Sequence, residues 1–250
     1  MPGPIPVERH FRSMRQVSDM INPGLPDELK RQAALLAIEL VTDGMTVGLG
    51  TGSTAAWAIR LLGERVAAGL GIRGVPTSQA TERLAREVGI PLVDFDSIWG
   101  IDLTLDGADE VDSELNLVKG GGGALLREKI VAAASKELII MVDPAKLVPR
   151  LGEHFPLPVE VTPFGWQQTA RHLAAIGAQP KLRVTGARPV ETDNGNLILD
   201  CRFPGGIENP GRTEFDIDRI PGVVESGLFV RMTRCVIVGY PDGAREMRKD

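Results

Sequence analysis

The chain has 250 residues, 43% hydrophobic and 24% charged, with a formal net charge of −5. That balance suits one large or two small globular domains and leaves no global basic field to hold nucleic acid. No apolar run approaches the ~20 residues of a membrane span. The opening MPGPIPVERHFRSMRQV lacks the apolar core of a secretory signal. The expectation is a cytoplasmic chain with neither nucleic acid nor membrane as partner.

Residues 1–26 carry Pro2, Pro4, Pro6, Pro23 and Pro26 without a sustained period, and read as an N-terminal extension. Asp27 is placed to cap a helix over 28–42, with Leu29, Ala33, Leu36 and Leu40 on one stripe and Gly44 as its stop. Alternation follows: strand 46–50, turn 51–54, helix 55–68, strand 72–75, helix 78–88, and strands 91–95 and 101–105. A helix over 124–136 and a strand over 138–142 complete the series. Strands alternating with helices predict a mostly parallel sheet covered on both faces.

From about residue 157 the order becomes strand 157–161, helix 165–176, strand 181–184, strand 196–203, helix 212–220 and strand 223–230. That is the split βαβ, or ferredoxin-like, signature. The fully apolar CVIVG at 235–239 suits the interior of the first sheet. The small domain, 154–230, would then be an insertion within a large domain made of 27–153 and 231–250. Cys201 and Cys235 have no CxxC spacing and read as buried reduced thiols.

Five features carry chemistry. In GLGTGSTAAW a strand runs into Thr51, Gly52, Ser53 and Thr54 and then a helix. Backbone N–H groups and hydroxyls there can cradle an anion, although an ordinary capped helix start has the same composition. In DGADE, Asp106 and Asp109 flank Gly107 and Ala108. They read as an acid–base pair, a polar strand end, or a carboxylate site for Mg²⁺. Lys119 precedes Gly120, Gly121, Gly122 and Gly123, which lets an ammonium and peptide N–H groups approach an anion. Glu128 lies in ALLREKIVAAA among apolar neighbours, but Arg127 and Lys129 have equally apolar ones. Lys146 follows the 138–142 strand and can reach the same crevice at the strand ends. His10, His154 and His172 sit in none of these motifs.

In this order and spacing, GLGTGSTAA, LDGADEVD, LVKGGGGALLREKI, the strand followed by DPAK, and FPLPVEV resemble ribose-5-phosphate isomerase of the A type. The resemblance runs from about residue 27 to 242. It implies an α/β fold: a Rossmann-like, mostly parallel sheet domain with an inserted ferredoxin-like α+β small domain. It implies interconversion of ribose 5-phosphate and ribulose 5-phosphate with no metal and no organic cofactor. Carried across, Glu128 is the base that moves the proton between C2 and C1, and Asp106 assists ring opening. Asp109 and Lys119 orient hydroxyls and stabilise the enediolate. Thr51, Gly52, Ser53, Thr54, Gly107, Ala108, Gly120, Gly121, Gly122 and Lys146 hold the substrate, and Lys30 joins the phosphate site. The partner implied is a sugar phosphate, and the assembly a homodimer or homotetramer. Gly123 departs from the family, where many members have alanine. An amino-sugar phosphate deaminase or a CoA transferase of similar architecture is one rival; the deaminase would be expected to place a histidine in the site, and none lies in the motifs. A sugar-phosphate sensor of a transcription regulator is another, but 1–26 is too short and proline-broken for a DNA-binding unit.

Overall fold

The computed structural model describes residues 25–249. The extension expected over 1–26 thus lies almost wholly outside the described residues. Helix α1 (Leu25–Ile38) starts before the expected position. Asp27 sits in its first turn instead of capping it, and its Oδ1 accepts from Trp57 Nε1 at 3.1 Å. The helix also stops short of 42. Tighter bonds from Leu40 N to Ala37 O and Val41 N to Ile38 O close it.

Next come β1 (Thr46–Leu49), α2 (Ser53–Ala67), β2 (Arg73–Pro76), α3 (Gln79–Glu87), β3 (Leu103–Gly107), β4 (Glu110–Val111), β5 (Leu117–Val118), α4 (Leu125–Ala133) and β6 (Leu138–Val142). They are followed by β7 (Leu157–Val161), α5 (Trp166–Ala175), β8 (Gln179–Leu182), β9 (Val184–Thr185), β10 (Arg188–Pro189), β11 (Leu197–Arg202), α6 (Pro210–Asp218), β12 (Val223–Ser226) and β13 (Leu228–Phe229). Strands β14 (Cys235–Tyr240) and β15 (Gly243–Met247) end the described chain.

The main sheet has the order β15-β14-β6-β3-β1-β2. It is parallel except for β15, which pairs antiparallel with β14. The apolar strand at 235–239 therefore does lie inside the first sheet. The strand expected over 91–95 does not form. Only Leu92 bridges to Gly74, and Asp94 then opens a 3₁₀ turn, its Oδ1 accepting from Asp96 N at 3.2 Å. Pro91 has no N–H to give a ladder.

Side chains alternate across the strands with period two. Val47, Leu49, Leu103, Leu105, Ile139, Met141, Cys235 and Ile237 pack with Ala33, Ala37, Ile59 and Leu62 of α1 and α2. Leu138, Ile140, Val142, Val236 and Val238 face the other way, onto Val111, Leu115, Leu117 and Phe229. That second face is covered largely by a three-stranded sheet, β13-β5-β4, that the sequence reading missed.

The inserted unit forms the sheet β12-β7-β11-β8, antiparallel throughout, with its own core around Leu157, Val159, Val161, Leu173, Leu199 and Ile217. This is the strand order of a ferredoxin-like α+β fold. The strand expected over 223–230 breaks at Gly227 into β12 and β13, which serve different sheets. A Cβ on Gly227 would strike Lys119 O and lie 3.1 Å from Pro158 O. Gly227 N donates to Pro158 O at 2.7 Å and its carbonyl accepts from Lys119 N at 2.9 Å. The helix-free side of the small sheet lies over α4. Lys129 Nζ of α4 is 2.7 Å from Glu225 Oε1, and a Cβ on Gly123 would contact Ile198 at 3.6 Å. The architecture is α/β: a Rossmann-like, mostly parallel sheet carrying a ferredoxin-like insertion.

Candidate active site

The site grows from two glycines on β1 and its exit. A Cβ on Gly48 would strike the Thr104 hydroxyl and lie 2.8 Å from Val131 Cγ1. Its absence lets α4 settle on the sheet, and Glu128 sits one turn before Val131. A Cβ on Gly50 would strike the Asp106 carboxylate and lie 2.6 Å from its Cα. That space lets Asp106, at the end of β3, turn across β1. Strands β2 and β3 leave β1 in opposite directions, so this is the switch point where α/β sheets open a crevice at their carboxyl ends.

Three buried charged groups meet there. Asp106 is 1% exposed, Lys119 2% and Glu128 4%. The Lys119 ammonium lies 2.6 Å from Gly107 O, 3.0 Å from Asp106 Oδ2 and 3.2 Å from Glu128 Oε1, three acceptors for its three N–H donors. Asp106 Oδ1 accepts from Thr51 N at 3.1 Å and Gly107 N at 2.8 Å. Glu128 Oε2 is buried with no hydrogen-bond partner among the described residues. One oxygen of this carboxyl is thus pinned and the other is uncommitted.

Burial pushes the Glu128 carboxyl up to about 8, partly opposed by Lys119 and reinforced by the negative charge of Asp106 and Asp109. Burial also raises Asp106, against the pull of Lys119 and the Gly107 and Thr51 N–H groups. For Lys119 burial acts downward, but the neighbouring Asp106 and Glu128 outweigh it and hold the ammonium firmly charged. A cation between the two carboxyls would have to displace that ammonium. Among the described residues no group of three or more His, Cys, Asp or Glu side chains is arranged to hold a metal.

The remaining sequence-picked residues fall around this core. Half-buried Asp109 accepts from Gly121 N at 2.7 Å, so DGADE and the glycine run are joined directly. Helix α2 begins after Gly52, at φ +109, with no side-chain cap among the described residues, which leaves the early N–H groups beside Ser53 and Thr54 uncapped. The Thr51 hydroxyl instead joins Thr77, Ser78 and Thr81 at 2.7, 2.9 and 3.1 Å. Lys30 on α1 and Lys146, in the turn after β6, are half-buried and form no ion pair among the described residues.

The other acidic residues of the run are structural. Glu110 accepts from Gly152 N at 2.5 Å and from His154 N and Phe155 N at 2.7 Å each. Asp112 closes its own turn through Glu114 N and Asn116 N at 2.9 and 2.8 Å. Replacing Glu110 by Ala is expected to destabilise the fold by about 3 kcal/mol, because it orphans one buried and two part-buried donors, while KM for the substrate moves little. Urea unfolding alongside steady-state kinetics checks this; an intact midpoint would contradict it.

Sequence reasoning missed Arg183. Its Nη1 donates to Gly120 O at 2.8 Å and Gly121 O at 3.1 Å, while Nε and Nη2 grip Asp200. A lone arginine in a strand pattern gives no signal of such a contact.

Comparison with known proteins gives a consistent picture. The model of the family "Ribose 5-phosphate isomerase A (phosphoriboisomerase A)" matches residues 73–243. The chain is 59% identical over 218 residues to "Ribose-5-phosphate isomerase A" of Gloeobacter violaceus (strain ATCC 29082 / PCC 7421), covering 87% of this chain and 94% of that one. It is 53% identical to the protein of the same name from Bacillus mycoides (strain KBAB4), covering 87% of this chain and 98% of the relative. A solved D-ribose-5-phosphate isomerase in complex with phospho-erythronic acid is similar with a TM-score of 0.87 and 41% identity, over 92% of this chain and all of that one (100%). The chain belongs to the ribose 5-phosphate isomerase A family.

Proposed function

We propose that this protein interconverts D-ribose 5-phosphate and D-ribulose 5-phosphate, an aldose–ketose isomerisation of the pentose phosphate pathway that proceeds through an enediolate. The observation that carries the residue assignment is the buried Glu128 carboxyl, with one oxygen held by Lys119 and the other uncommitted. Glu128 takes the C2 proton of the open-chain aldose. The C–H electron pair becomes the C1=C2 bond and charge moves onto O1. The proton returns to C1, O2 becomes the ketone oxygen, and its proton passes to O1. A carboxyl with a pKa near 8 suits this task better than one near 4.5, because the proton must be both taken and returned.

Asp106 and Asp109 handle the hydroxyl protons, Asp106 during ring opening. Lys119 neutralises the buried carboxyls and offsets charge as the enediolate forms. The phosphate is seated at the uncapped start of α2 by Gly52, Ser53 and Thr54, with Thr51 fixing the turn that precedes them, and the ammonium groups of Lys30 and Lys146, without an ion-pair partner among the described residues, offset the acidic background. Gly107, Ala108, Gly120, Gly121 and Gly122 line the sugar. The proposal includes a cytoplasmic homodimer, or a homotetramer, working without a cofactor. Among the described residues no helix is long and apolar enough to cross a membrane.

The test is a coupled assay with ribose 5-phosphate in excess chelator. Turnover is expected to be unchanged by chelation, since Lys119 occupies the place between the carboxyls that a cation would need. No ribulose 5-phosphate formed under any condition would reject the function. Activity abolished by chelator and restored by a divalent ion would reject the metal-free reading.

A further inference from the structure

The Lys119 ammonium already meets three protein acceptors, so a substrate oxygen that gains charge needs a further donor. We infer that Arg183, from the inserted unit, is a positioning residue that aims the Gly122 peptide N–H at a substrate oxygen. This inference rests on the isomerase reading of the crevice.

The reasoning starts from the planarity of the peptide. In a trans peptide the carbonyl of one residue and the N–H of the next point in opposite directions, and no cis bond occurs among the described residues. Arg183 Nη1 draws the carbonyls of Gly120 and Gly121 to one side. The N–H of the first of these peptides then points the other way, and it does: Gly121 N reaches Asp109 Oδ2 at 2.7 Å. By the same constraint the second peptide turns the Gly122 N–H toward the side of Asp109. A Cβ on Gly122 would lie 3.5 Å from Thr51 Cγ2, so the turn borders the loop proposed to take the substrate. Gly122 N has no hydrogen-bond partner among the described residues, and Gly122 is exposed, so a ligand can reach it.

Four glycines in a row do not hold an orientation by themselves. The Arg183 fork does: it is locked by Asp200 on β11, and both side chains are largely buried, at 15% and 23% exposure. The turn is further closed by Gly123 N donating to Gly120 O at 3.0 Å. Arg183 touches neither carboxyl of the site. It acts only through the two carbonyls.

The experiment compares wild type with Arg183→Met and Asp200→Asn. It measures kcat and KM for ribose 5-phosphate, inhibition by phospho-erythronic acid and by inorganic phosphate, and thermal unfolding. Loss of one aimed donor to developing charge is expected to lower kcat by at least about tenfold in Arg183→Met, with KM changed less than about threefold. Asp200→Asn, which keeps the guanidinium but loosens it, should show a smaller fall of the same kind. Inhibition by phospho-erythronic acid should weaken while that by phosphate does not. Added guanidinium should recover part of the kcat of Arg183→Ala. A lowered melting temperature with wild-type kcat in both Arg183→Met and Asp200→Asn overturns the inference, as does equal weakening of both inhibitors. If wild type itself forms no ribulose 5-phosphate, the isomerase reading fails instead.

Discussion

Glu128→Gln is expected to reduce kcat by at least about 100-fold while leaving KM within a few-fold, the scale for removing a positioned base. The amide keeps the shape of the side chain and can still accept from Lys119, so binding persists. It cannot take a proton from carbon. The pH profile adds a second, independent reading. In wild type, kcat/KM should climb as Glu128 loses its proton, with a limb near pH 8. In Glu128→Gln that limb should vanish. The effect on stability has the opposite sign. The folded-state pKa of about 8 exceeds the reference 4.5, so the contribution of this group to stability is fully present below about pH 4.5 and lost as pH rises through 8. Near-wild-type turnover in the glutamine variant would falsify the assignment of the base.

Lys119→Met should do more damage to the fold than to its shape. Methionine fills the space, but Asp106 and Glu128 lose the ammonium that lies 3.0 and 3.2 Å away. Breaking a buried ion pair from one side costs about 3–5 kcal/mol. The carboxyls can avoid part of this by keeping their protons, so the loss should be small near pH 5 and large at pH 8. Turnover should fall at least about 100-fold, since a permanently protonated Glu128 is no base. Urea unfolding of both proteins across that pH range checks the claim. A loss that is equal at pH 5 and pH 8 would show that the lysine does not act by neutralising its neighbours.

The legible part of this molecule was its alternation and its one dense motif. Buried strands such as LIIMV and CVIVG announce themselves by lacking polar residues, and the inserted unit by its element order. The run from Asp106 to Glu128 stood out because its residue types have no common structural reason to cluster. Its internal assignment was less legible. Glu110 and Asp112 look like Asp106 and Asp109 in sequence, yet they satisfy backbone donors of distant or local turns. Only three-dimensional partners separate them. Glu128 could not be told from Arg127 and Lys129 by spacing, because which face of α4 turns inward depends on Gly48 and on Glu225 of the small sheet. Strands β4, β5 and β13 are two residues each and carry no period. The break at Gly227 was a signal that could have been used: an isolated glycine inside a strand pattern marks a bulge or a close backbone approach.

That glycine has a consequence for biogenesis. The carbonyl that anchors the Lys119 backbone belongs to a residue far later in the chain, and β13, just beyond it, pairs with β5. A ribosome releases the acidic loop, the lysine and the glutamate long before it releases the strand that fixes them. The hydrogen bond that holds the lysine backbone in place therefore cannot form until Gly227 has emerged.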